Sequence, residues 1–362
     1  MRNRNVVIDF ARLLFCFGII FLHMNPIRIE SESELIMCFG SLGVEFFFIV
    51  SGWLMANKAD RIEVNSIDIG NATLRFLWKK FSNIFPYYIV AAIASFVILH
   101  WPDMFFTRTM ARDLLLSVPY IMQLELAGFQ TYEIFSPAWF LSALFLSMFI
   151  LFPLCLRFKS SFGKIVAPNI AIWCYGYLIY TVGALSTIEP LEGTYLHTGM
   201  LRGLAGISLG CCCYYATKAL QTSLVRVKPS VPLTVIEVGC YLLAFLSMRT
   251  SDLFRPDFIF LLLVSIAITI SFSNLSYTSF LSKSKVMSIL GGYAGKLSMC
   301  LYLTNMPARN LTCILLPIER NISRLGLYLV INIIFGLVLM IVIDVVSRIF
   351  KNIKSRKKSV IC

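Results

Sequence analysis

Charge is scarce in this chain. Asp, Glu, Lys and Arg make up 14% of its 362 residues, where a soluble domain carries about 25%. That shortage, with 58% hydrophobic residues and a mean hydropathy of +0.79, excludes an ordinary water-soluble protein. Histidine is scarcer still. His23, His100 and His197 are all there are, so imidazole chemistry has few places to sit. The 11 cysteines are scattered through apolar stretches without a C-x-x-C pair, which excludes a disulfide framework or a thiolate zinc site. No metal and no permanently bound cofactor are expected. The consecutive Cys211, Cys212 and Cys213 read as small apolar helix residues rather than acylation sites. No cleavable signal peptide is expected: the first apolar run contains Asp9 and Arg12, and no small-residue cleavage site follows it. A disordered chain is excluded by an aromatic content of 14%.

Long apolar runs are abundant. Ten can be marked, at about 6–24, 35–56, 84–99, 138–156, 165–184, 200–216, 232–248, 256–273, 286–304 and 325–347. The expected fold is an all-α, polytopic membrane protein with about ten transmembrane helices and both termini cytoplasmic. With that orientation 21 of the 32 Lys and Arg lie in inside segments, eight lie outside, and Arg12, Arg202 and Lys296 fall within helices. The net charge of +13 is thus a topology signal of the positive-inside kind. Nucleic-acid binding is not expected, because no folded domain presents a basic face. Residues 1–347 are expected to form one membrane-embedded domain and 348–362 a basic cytoplasmic tail lying on anionic lipid. Residues 57–83 read as an inside loop and about 100–137 as an outside one, with an interfacial helix from Arg112 through Leu126.

Ionisable residues inside a membrane are costly, and each is a functional candidate. Arg12 and His23 are eleven positions apart in one predicted helix, about 20° past three full turns, so both point along one face roughly 16 Å apart in height. Asp9 lies three residues before Arg12 and can pair with it. These groups either line a path through the bundle or form a snorkelling pair with an interfacial histidine. Glu45, near the middle of the second run, needs a proton or a partner, and Arg12 or His23 is the obvious one. Ser51 and Gly52 permit close helix approach, and Phe46 to Phe48 read as packing.

At this point the residues resemble a family. Ile8-Asp9-Phe10-Ala11-Arg12, followed by ten residues and then His23, is similar to the first helix of the acyltransferase 3 family of integral-membrane acyltransferases. The glycine-led aromatic run Gly43 to Gly52 resembles the family's next block. Phe76-Leu77-Trp78-Lys79-Lys80 through Pro86-Tyr87-Tyr88 resembles a third, and Ala138-Trp139-Phe140 through Leu144 a fourth. Leu201-Arg202-Gly203 resembles its Arg-containing helix start, and Ser298 through Tyr302-Leu303-Thr304-Asn305 its late Ser-x-x-x-Tyr-Leu-x-His motif. The chain departs from the pattern with Asn305 where His is common, and with Lys80 and Asn83 where Arg is common.

The resemblance implies acyl transfer from an acyl-CoA, typically acetyl-CoA, to a hydroxyl of a carbohydrate acceptor such as an O-antigen or exopolysaccharide. It implies a place in the inner membrane among lipids. The implied catalytic set is His23 as general base, Arg12 orienting the donor or stabilising its carbonyl, and Glu45 orienting His23 or pairing with Arg12. The implied substrate-binding set is Asp9, Ser51, Lys79, Lys80, Trp139, Arg202, Tyr302 and Asn305. Lys79 and Lys80, with Arg75 nearby, would meet the CoA phosphates. Trp139 would wall the site or anchor the interface. A transporter or flippase for a lipid-linked saccharide is the rival reading, against which stands the absence of a sequence repeat.

Overall fold

The structure, a computed structural model, describes residues 4–23, 37, 39–63, 68–101, 108–117, 126, 138–185, 191, 196–224, 228–249, 256–317 and 322–359. Each apolar run becomes a helix: α1 Val6–His23, α2 Gly43–Asp60, α3 Ile69–Leu99, α5 Trp139–Ser161, α6 Ala167–Val182, α7 Thr198–Ser223, α8 Val231–Ser247, α9 Pro256–Ser273, α10 Lys285–Leu315 and α11 Ile322–Ser359. A short helix, α4, spans Arg108–Leu116. Among the described residues there is no strand, only an isolated bridge between Ser230 and Ser276. The chain is an all-α membrane protein.

Six segments are long and apolar enough to cross a membrane, and Val231–Ser247 and Asp257–Ser273 are shorter apolar helices. About ten spans were expected. Part of the difference lies in Trp139–Val182, a 44-residue apolar segment that holds two helices, α5 and α6, since its backbone breaks at Lys159 (φ 45°) just before a π-turn at Phe162–Val166. The α7 helix is in neither group. It sits against α2, α5, α6 and α9, so its Gly-rich, Arg-containing face meets protein rather than lipid and need not be apolar.

The loops differ from expectation where the helices outrun their apolar cores. The α2 helix continues to Asp60 and α3 begins at Ile69, so most of the supposed inside loop is helical. Asp68 starts α3 by accepting from the Gly70 and Asn71 amides. This places Lys79 and Lys80 on a helix. In the outer segment the helix stops at Leu116, and 118–125 lie outside the described residues. The basic tail from Lys351 continues α11 to Ser359.

Close approach of α2 and α7 organises the centre. A Cβ on Gly52 would come within 2.1 Å of the Ile207 carbonyl oxygen, and one on Gly210 within 2.0 Å of that of Ile49. Any side chain there would drive the two backbones apart. At the far end of α2, Lys159 adopts a left-handed backbone (φ 45°). Its Nζ donates to the carbonyls of Ala59, Asp60 and Ile62, satisfying orphan acceptors at a helix C-terminus. Cys211 and Cys213 are buried, in keeping with a packing role.

Candidate active site

The α1 and α10 helices lie side by side and run parallel. Gly291 packs on Val6, Gly295 on Asp9, and the Cys16 thiol donates to the Ser298 carbonyl 3.1 Å away. Asp9 is buried and accepts from Arg12 Nη1 at 3.2 Å, the expected pairing. Arg4 also bonds Asp9, a partner invisible from helical spacing because it precedes the helix.

Beside this seam is a cavity of about 200 Å³. Arg12 from α1, Ser51 from α2, Lys80 from α3 and Tyr302 from α10 meet there, four candidates from four segments of the chain. Phe47, Phe140 and Ser298 complete its polar and aromatic lining. Phe47 was read as packing. It reaches the cavity because its neighbours Phe46 and Phe48 occupy the fully buried directions of the same turn. Two cations facing hydroxyls between aromatic walls can hold a polarised or anionic group out of bulk water.

The other candidates lie elsewhere. Lys79 is exposed, pointing about 100° from Lys80 around α3. Glu45 pairs with neither Arg12 nor His23. Its carboxylate accepts from Arg202 Nε at 2.6 Å and from the Tyr175 hydroxyl at 2.6 Å, with Glu45 and Arg202 both at 0% exposure. Arg202 Nη2 donates to the Ser41 carbonyl at 3.0 Å, and its Cζ stands 4.8 Å from the Trp139 ring centroid. Trp139 therefore faces this ion pair, and the next residue, Phe140, faces the cavity. The correction has a packing cause. Gly206, one turn beyond Arg202, leaves space for the carboxylate: a Cβ there would stand 2.6 Å from Phe48 Cβ and 3.3 Å from Glu45 Oε2.

His23 ends α1, half-buried, and the charge acting on its ring is that of Arg309 on α10. Asn305 is fully buried, with neither polar side-chain atom hydrogen-bonded. Neither residue lines the cavity. Sequence reasoning missed Arg309, Tyr175 and Arg4. Tyr175 and Arg309 carry no local signal, since only the packing of distant helices gives them partners. Among the described residues no group of His, Cys, Asp and Glu is arranged to hold a metal.

A family model described as an acyltransferase domain matches residues 5–347. The chain belongs to the acyltransferase 3 family. No curated protein and no solved structure matches it. The family match extends over nearly the whole chain, so the cavity and both polar clusters lie inside the acyltransferase domain.

The remaining histidines of this acyltransferase lie at helix ends. His100 caps α3, its Nδ1 2.9 Å from the Phe96 carbonyl and its Nε2 3.6 Å from Asp113. His197 caps α7, its Nδ1 accepting from the Gly199 amide at 3.1 Å. Burial lowers the pKa of His197 below the ordinary histidine value, and accepting that bond requires the neutral ring. The unfolded chain then binds the proton first, so stability from this cap falls as pH drops below about 6.5, the ordinary value. The protection factors of amides in the first turn of α7, with the intrinsic exchange rate divided out at each pH, are expected to fall on acidification through that range. His197→Asn, which caps without titrating, is expected to abolish the pH dependence. Equal pH dependence in both proteins would remove the cap from this role.

Proposed function

We propose that this acyltransferase moves an acyl group, acetyl in the simplest case, from an acyl-CoA to a hydroxyl of a surface polysaccharide or its lipid-linked precursor. The observation that carries the reading is the cavity that gathers Arg12, Lys80, Ser51 and Tyr302 within a chain of this family. A volume of about 200 Å³ suits the thioester end of a small acyl donor, with the nucleotide left outside. Lys80 and the exposed Lys79 are on hand for its phosphates as point charges, without the fork an arginine would bring. Arg12, held by Asp9, orients the donor from the inner end of the cavity, so that its thioester points toward His23. His23 takes the acceptor hydroxyl proton. The new C–O bond forms as the thioester C–S bond breaks, and the proton ends on the CoA thiol.

In this reading the protein is a multi-pass protein of the inner (plasma) membrane with both termini in the cytosol. Arg12 then lies toward the donor compartment and His23 toward the outer face, so a glycan outside can be acylated without export of CoA. Mass spectrometry of the host's surface glycan tests it. The deletion and His23→Ala, the variant first shown to reach the membrane at normal levels, are each expected to lose an acyl increment. Loss in the deletion alone would remove His23 from the mechanism. An unchanged glycan mass with altered surface abundance would favour a transporter.

A further inference from the structure

His23 and Asn305 are level with each other across the α1–α10 seam. Cys16 and Ser298 are in contact, and His23 and Asn305 each lie seven residues further along parallel helices. Seven residues advance about 10.5 Å and return within about 20° of the same face. The Asn305 amide thus sits beyond Ser298 and Tyr302, which line the cavity, at the height of the candidate base. It is at 0% exposure with both Nδ2 and Oδ1 unpaired, a condition rare in folded proteins.

Two further features belong to the same stretch of α10. Pro307 stands inside the helix and has no N–H, so the Leu303 carbonyl on the cavity wall lacks its helical donor. Arg309, one turn beyond Asn305, is half-buried, and among the described residues no carboxylate pairs with it. Its charge acts on His23 and on Tyr328, whose hydroxyl donates to the Ile20 carbonyl of α1. An amide offering both a donor and an acceptor complements a hydroxyl, which is also both. A guanidinium next to it, with no carboxylate partner among the described residues, complements an anion.

We propose that Asn305 and Arg309 form the acceptor subsite, and that the acceptor carries a phosphate or carboxylate near the hydroxyl that is acylated. The inference rests on the acyl-transfer reading above. Asn305 holds the sugar hydroxyl within reach of His23, and Arg309 holds the anionic group at the outer end of the seam.

The test uses the full chain in native membranes with radiolabelled acetyl-CoA. The acceptors are glycan and glycolipid extracted from host cells lacking the gene, divided by anion exchange into neutral and acidic pools. Label is expected in the acidic pool. Arg309→Gln is expected to raise the KM for that pool at least about tenfold, the scale of one charge-assisted contact, with the KM for acetyl-CoA unchanged. Arg309→Lys should recover part of the loss. Asn305→Leu, which keeps the branching and number of side-chain heavy atoms and removes the amide, should lower turnover at saturating donor. Label confined to the neutral pool overturns the proposal. So does an Arg309→Gln enzyme with unchanged kinetics, the behaviour of an arginine that only meets lipid headgroups. Label in neither pool, with wild-type protein present, overturns the acyl-transfer reading itself, and the subsite with it.

Discussion

Replacing Arg202 by Met should cost about 3–5 kcal/mol of stability, the usual penalty for leaving one half of a buried ion pair without the other. Glu45 would then keep only the Tyr175 hydroxyl as a donor, and the Ser41 carbonyl would lose the Nη2 bond. Glu45→Leu alone is expected to be equally harmful, because it strands a guanidinium at 0% exposure. The double variant should recover much of the loss, since two charges that were costly to desolvate are replaced by apolar groups that need no solvation. Arg202→Lys should not rescue: an ammonium cannot reach Glu45 and the Ser41 carbonyl with the same fork or stack on Trp139. Unfolding of the purified proteins in mixed micelles, followed by denaturant titration, measures all four. A double variant no more stable than the singles would mean that the pair is not the source of the effect.

The second large effect belongs to Arg12. Arg12→Gln removes the charge proposed to orient the donor in the cavity, and a fall in kcat of about 10² is expected, the scale of a misplaced reacting group. Lys80→Gln, by contrast, should raise the KM for acetyl-CoA and leave kcat nearly unchanged, because it meets charge present in ground and transition states alike. Asp9→Asn should resemble a weaker Arg12 variant. Asp9 holds the Arg12 guanidinium through a 3.2 Å bond and pairs with Arg4 as well, so in this reading it is a positioning residue. Steady-state kinetics of thiol release with the host's own glycan extract separates the three. Equal loss of kcat in Lys80→Gln and Arg12→Gln would give both cations the same orienting role.

Most of the helical plan was legible in the sequence because hydropathy is a local property. Ten apolar runs became ten long helices, and the pairing of Asp9 with Arg12 followed from a three-residue spacing within one of them. Helix ends were less legible. The polar stretch before the third run looks like a loop to hydropathy, yet an Asp68 cap and continued helix propensity begin α3 at Ile69, and that extension delivers Lys80 to the cavity. Six segments are long and apolar enough to cross where about ten spans were expected, and a central helix such as α7 is solvated by its neighbours rather than by lipid, which loosens the link between hydropathy and crossing.

By itself the sequence determined the class of molecule, the family, and the residue types from which the site is built, since these follow from composition and short-range motif. Only the tertiary structure decided which of those residues meet. Glu45 went to Arg202 and Tyr175, 157 and 130 residues away, and Trp139 went with them rather than to the cavity. Arg309 was set beside His23. The physical reason is that a buried charge takes the partner that packing places within hydrogen-bond reach. Which helices pack together depends on features spread over the whole chain, such as the glycines that let α2 and α7 touch.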